Sequence, residues 1–107
     1  MLSPIDSIGF VGGGQMAGAM VRGILAVGLA ASDKITVAEP SVARCEYLAS
    51  QYGVVCTQDA ATLCRSSEIL VLAIKPQLAA TVLNQYRPFI SERHLVLSIM
   101  AGVTLRT

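Results

Sequence analysis

The sequence is short of charge, of cysteine pairs and of long apolar runs, and each shortage excludes something. Charged residues make up only 14 % of the 107, the formal net charge is +1, and the eight Lys and Arg are scattered. Proteins that hold nucleic-acid backbones cluster their cations, so no nucleic-acid partner is expected. The three cysteines, Cys45, Cys56 and Cys64, are odd in number and form no CxxC pair. That argues against a disulfide framework or a zinc site, and for reduced thiols in a cytosolic-type compartment, packed as small hydrophobes. No apolar run reaches the roughly 18 residues of a membrane span, and no segment has the layout of a signal peptide. A cytoplasmic protein without membrane partners is expected. Repeats, low-complexity tracts and flexible linkers are missing too, which leaves one compact unit.

Hydrophobic residues, by contrast, make up 53 % of the chain. This is an unusually apolar globular domain, and some of that surface is expected to face a partner or a segment outside the chain. Short apolar runs, Ile8 to Val11, Ile35 to Ala38, Ile69 to Ile74 and Leu95 to Met100, read as strands buried on both faces, because they are continuous rather than alternating. A briefer strand fits Val54 to Cys56. The segments between carry a helical period. Ala17, Met20, Val21, Ile24 and Leu25 form one stripe, which ends before Gly28. Val42, Cys45, Leu48, Ala49 and Tyr52 form another, with Ser41 placed to cap it and Gly53 to stop it. A third helix runs from Asp59 to about Arg65. The last opens at Pro76, shows Ala79, Val82, Leu83 and Tyr86 at helical spacing, and closes at Pro88.

The order β-α-β-α-β-α-β-α-β predicts an α/β fold: a doubly wound parallel sheet with right-handed crossovers, helices on both faces and the first strand central. A full fold of this kind adds a further strand after the fifth, so the chain reads as a fragment of a longer protein.

The stretch GFVGGGQMAGAM, residues 9 to 20, lies where the first strand meets the first helix. Gly12, Gly14 and Ala17 stand in the pattern G-x-G-x-x-A. Gly12 permits a tight turn, Gly14 leaves room for a pyrophosphate, and Ala17 lets helix and strand pack closely. The amides of residues 14 to 16, including Gln15 and Met16, open a helix N-terminus with partial positive charge, so a diphosphate needs no lysine there. The arrangement is Rossmann-like, and its plain alternative is a tight turn that binds nothing. Gly9 and Gly13 read as close-packing positions. Glu39, 22 residues after Ala17, stands where a carboxylate accepts the hydroxyls of the adenosine ribose of NAD. Ser41 and Arg44 follow, and could hold the 2′-phosphate of NADP if Glu39 turned away. A helix cap for Ser41 and a solvated surface position for Arg44 read equally well, so the local residues leave both cofactors open.

With these pieces placed, the chain resembles the N-terminal half of the pyrroline-5-carboxylate reductases. The resemblance rests on IGFVGGGQMAGAMVRGIL (8 to 25), VLAIKPQ (71 to 77) and LVLSIMAGVTL (95 to 105). It implies NAD(P)H-dependent reduction of a cyclic imine to L-proline, with NADP (NADPH) expected and NAD (NADH) the alternative. It also implies that residues 1–107 are the NAD(P)-binding domain, while a helical C-terminal domain for substrate and dimerisation, hence a homo-oligomer, lies outside the chain. By resemblance, Gly14, Gln15 and Met16 contact the cofactor phosphates. Ala73, Ile74, Lys75 and Pro76 lie along the ribose and nicotinamide, and Ala101 and Gly102 form the floor beneath the ring. Met100 stands where the family often has Ala. Lys75 reads either as a substrate-orienting cation or as a residue that supports the ribose or simply reaches solvent at a strand end. Ser98 reads as a buried hydroxyl bonded to backbone, since no His-Asp pair is arranged for it, and His94 is given no role. Two other readings remain: an imine or β-hydroxyacid reductase with the same front half, and a non-catalytic module that senses NAD(P)H.

Overall fold

The computed structural model describes residues 7–99. Five strands, β1 (Ile8–Val11), β2 (Ile35–Ala38), β3 (Val55–Thr57), β4 (Ile69–Ala73) and β5 (Leu95–Ile99), alternate with four helices. These are α1 (Gln15–Val27), α2 (Val42–Tyr52), α3 (Ala60–Arg65) and α4 (Ala79–Tyr86). All strand pairs are parallel, in the order β3-β2-β1-β4-β5, with Ile8 of β1 opposite both Ile35 and Ile69. The expected doubly wound sheet with β1 at its centre is therefore present.

Residues of β1 point alternately to two cores. Ile8 and Phe10 pack with Ala17, Val21 and Leu48 beneath α1 and α2. Val11 joins Leu63, Leu70, Leu72 and Tyr86 beneath α3 and α4. Both faces of the central strands are thus covered, which is why β1 and β2 are buried at every position. The edges differ from expectation. On β5, Leu95, Val96 and Leu97 are 56 %, 37 % and 44 % exposed, so this run is not buried on both faces. An edge strand has one neighbour, and among the described residues no helix follows β5 to cover it.

The helix ends follow the local chemistry. Gly28 and Gly53 close α1 and α2 in left-handed geometry (φ 71° and 72°). The Ser41 hydroxyl accepts the Arg44 N–H at 3.2 Å. The Asp59 carboxylate accepts the N–H and the hydroxyl of Thr62, at 3.2 and 2.6 Å, and these bonds hold it below its ordinary pKa. Pro76 opens a 3-10 turn, Pro76–Leu78, ahead of α4, and Pro88 sits inside a second, Arg87–Phe89. The last helix therefore begins three residues later than its proline suggested and ends before the second one. His94 has a structural place: its Nδ1 accepts the Ser91 N–H at 2.9 Å, so its Nε2 is free to donate to the Cys64 carbonyl at 2.8 Å. Arg93 donates to the same carbonyl.

Two expectations are corrected here. Cys45 in α2 and Cys56 in β3 are joined by a disulfide, with Cα atoms 5.7 Å apart; α2 packs beside β3 and brings together residues that their count and spacing did not pair. Only Cys64 remains as a buried thiol among the described residues, and burial pushes its pKa up. The Ser98 hydroxyl, expected to bond to backbone, is buried without a hydrogen-bond partner among the described residues.

Candidate functional site

The carboxyl end of β1 runs into three glycines, and each is glycine for a different physical reason. Gly12 has φ +100°, and a Cβ there would come 2.5 Å from the Ala73 carbonyl oxygen. Its own N–H donates to the Ala38 carbonyl at 2.8 Å, so the turn is wedged between the ends of β2 and β4. Gly13 is a packing position, as expected, since a Cβ would meet Leu48 Cδ1 at 3.0 Å and Glu39 Cβ at 3.1 Å. Gly14 is the N-cap of α1, and a Cβ on it would meet nothing within 4 Å. The fold does not require glycine at 14; what a side chain would fill is the open space in front of the helix. No side chain caps α1 and its first turn carries no acid, so its leading amides are left to a ligand or to water.

Glu39 follows β2 and faces this turn. One carboxylate oxygen accepts the Gly13 N–H and the other the Ser41 N–H, each at 2.8 Å. Each oxygen keeps a lone pair for a further donor. Ser41 acts as the helix cap. Arg44 is not a solvated surface residue: its Nε donates to the Gly13 carbonyl, its Nη2 donates to the Gly14 carbonyl at 3.1 Å, and the guanidinium lies 4.8 Å from the Tyr47 ring centre. It straps the glycine turn to α2. The two carbonyls take two of the five guanidinium N–H groups, so three remain on the outer edge, enough for a bidentate contact to a phosphate with the strap intact.

Beyond the turn opens a cleft of about 720 Å³. Gly12 to Gly14 and Glu39 form one wall, and Ala73, Ile74 and Lys75 at the end of β4 form the facing one. The location, outside the carboxyl ends of parallel strands where the chain winds in opposite directions, is where such sheets hold ligands. Lys75 is exposed there, and its carbonyl accepts the Leu78 N–H at 2.9 Å. The remaining wall was missed in the sequence: Gln58 after β3, and Val82, Gln85 and Tyr86 on α4. Tyr86 was legible only as one residue of a helical stripe. Burial, with lesser contributions from Cys64 and Asp59, pushes its phenol up to about 12, so it stays a neutral O–H at any ordinary pH.

The other expected site residues divide. Gln15, Met16 and Pro76 stand at helix or turn starts beside the cleft but do not form its wall. Ala17 is fully buried in the core, so it can serve a ligand only by letting α1 sit close to β1, and a contact of its side chain with cofactor is excluded by position. Ala101, Gly102 and Met100 lie outside the described residues.

Residues 7–102 match the family described as NADP oxidoreductase, coenzyme F420-dependent. The chain belongs to that family. The sequence is 35 % identical over 102 residues to a pyrroline-5-carboxylate reductase of Methanosarcina acetivorans, covering 95 % of this chain and 38 % of the relative. The solved pyrroline-5-carboxylate reductase of Coxiella burnetii superposes with a TM-score of 0.83 at 32 % identity, over 95 % of this chain and 37 % of that one. The Plasmodium falciparum pyrroline carboxylate reductase, solved with NADP bound, gives 0.76 at 27 % identity, over 96 % and 36 %. The chain thus spans little more than a third of the length of these relatives. The resemblance read from the sequence motifs agrees with all three. Among the described residues, no helix is long and apolar enough to cross a membrane.

Proposed function

We propose that this chain is the cofactor-binding part of an NADPH-dependent pyrroline-5-carboxylate reductase, with a helical substrate and dimerisation domain outside its 107 residues and a homo-oligomeric, cytoplasmic whole. The observation that carries the reading is Gly14: a position glycine in sequence although nothing in the fold crowds it, at an uncapped helix N-terminus facing a cleft. Bound NADPH would supply a hydride to the carbon of the C=N bond of 1-pyrroline-5-carboxylate, and with the nitrogen taking its proton from water the products would be L-proline and NADP+. The chain's own residues bind and orient. The amides of Gly14, Gln15 and Met16 hold the diphosphate through the positive end of α1. Ser41 and Arg44 hold the 2′-phosphate, Arg44 through the guanidinium N–H groups that the loop carbonyls leave free. Glu39, its charge already spread over two amide donors, keeps the turn in shape and can accept a ribose hydroxyl. Ala73, Ile74 and Lys75, with Pro76 behind them, line the ribose and nicotinamide end, where Lys75 places a cation for a carboxylate or ribose oxygen.

NADPH as the preferred form is supported by the family's description and by the NADP in the Plasmodium falciparum relative. Titration of the protein with NADPH and with NADH tests the reading. Tighter binding of NADPH, lost selectively in Arg44→Ala, is the expected result. Binding of neither nucleotide would overturn it.

A further inference from the structure

Cys45 and Cys56 stand on the two elements that flank the glycine-turn end of the cleft. Cys45 lies in the first turn of α2, directly after Arg44, and its N–H donates to the Ser41 carbonyl at 3.0 Å. Cys56 lies in the middle of β3, opposite Val37 of β2. The next residue, Thr57, accepts the Glu39 N–H at 3.1 Å, and the one after, Gln58, is on the cleft wall. The Cα separation of 5.7 Å lies inside the range of a disulfide, and the two sulfurs are bonded. Because β3 is an edge strand and Cys56 is only half-buried, a small thiol reagent has a path to this pair. Cys64, 1 % exposed in the opposite core, has none.

We infer that Cys45 and Cys56 form a redox modification site, a dithiol that a small-molecule disulfide such as oxidised glutathione converts to a clip which tightens dinucleotide binding. The inference rests on the dinucleotide reading of the cleft. One cysteine, as thiolate, attacks a glutathione sulfur, breaking its S–S bond and releasing one glutathione thiolate. The second cysteine attacks the mixed disulfide and releases the other. The protein loses two electrons and two protons, and the reagent, reduced by those electrons, leaves as two thiols. A reducing compartment would keep the pair open by default, which is what makes its closure informative. The closed clip ties the first turn of α2 to β3, one residue from the guanidinium that straps the glycine turn. Fixing α2 lowers the ordering that a bound nucleotide must otherwise impose on Ser41, Arg44 and the turn.

The test compares the protein equilibrated with glutathione disulfide and with dithiothreitol. Alkylation after unfolding, followed by peptide mapping, is expected to find Cys45 and Cys56 protected only in the oxidised sample, with Cys64 labelled in both. NADPH is expected to bind the oxidised form roughly fivefold more tightly. Cys64→Ala should keep that difference and Cys45→Ser should abolish it. Labelling of all three cysteines after oxidation, or equal NADPH affinity of the two forms, overturns the inference. If neither form binds NADPH, the dinucleotide reading falls and the affinity effect with it, while the alkylation pattern still decides whether the clip forms.

Discussion

At the glycine-turn end of the cleft, backbone groups are held by side chains from far along the chain: Glu39 on the Gly13 amide, Arg44 on the Gly13 and Gly14 carbonyls, and a disulfide behind them. At the β4 end the wall is Ala73, Ile74 and an exposed Lys75 with Val82, Gln85 and Tyr86 of α4, and β5 beyond it presents Leu95, Val96 and Leu97 to the outside. The first region is shaped before any ligand arrives, as a site that must hold a multiply charged diphosphate with neutral amides requires. The second is apolar surface without a cover among the described residues, which suits a region completed by other parts of the protein.

The sharpest break in this comparison comes within the turn itself. Gly12→Ala, strained at φ +100° and pressed on the Ala73 carbonyl, should destabilise the protein by about 3 kcal/mol, read by urea unfolding. Gly14→Val, with open space before it, should leave the unfolding midpoint nearly unchanged and cut NADPH affinity by at least about tenfold, because the side chain occupies the phosphate's place. Equal stability losses in the two variants would remove the distinction between a turn glycine and a ligand glycine.

Smaller effects are expected from the tethers. Glu39→Ala orphans the buried Gly13 amide and should cost about 2 kcal/mol, with Glu39→Gln costing less because an acceptor remains. On the far side, Val71 and Leu97 are register partners on neighbouring strands, one buried and one exposed. Val71→Thr should lower stability by about 1–2 kcal/mol, while Leu97→Thr should change it by less than about 0.5 kcal/mol. A comparable loss at Leu97 in the protein would show that its face is covered there. A last effect, confined to high pH, concerns Tyr86. Its phenol titrates near 12 in the folded protein and near 10 when unfolded. Its contribution is therefore complete below about pH 10 and is lost as the pH rises toward 12, because the unfolded state sheds its proton first. The difference in melting temperature between the protein and Tyr86→Phe, followed from pH 8 to 12, should show that added slope only in the former.

Much of this was legible along the chain because the signals are local. The stripe Val42, Cys45, Leu48, Tyr52 with Ser41 before it and Gly53 after it delimits α2 without reference to anything else, and strands β1 and β2 begin and end where their apolar runs do. The site was half legible. Gly12, Gly14 and Glu39 carry positional signals of the fold, Ala73 to Lys75 are implied by the family resemblance, and all of them converge on one cleft. Gln58, Val82 and Gln85 carry none, since a glutamine on a loop or a valine in a helical stripe has no periodic mark of what it faces. The prolines misled by a few residues because Pro76 and Pro88 are equally at home in the 3-10 turns they occupy.

The amino-acid sequence by itself determined the order of the elements, their caps and the glycine turn, since each depends on residues within a few positions of one another. Only the tertiary structure decided that Glu39 holds Gly13 across 26 residues, that Arg44 reaches the same loop across 31, and that Cys45 finds Cys56 rather than Cys64. Those contacts follow from which helix covers which strands, and strand order is set by how the whole set of apolar faces is buried at once.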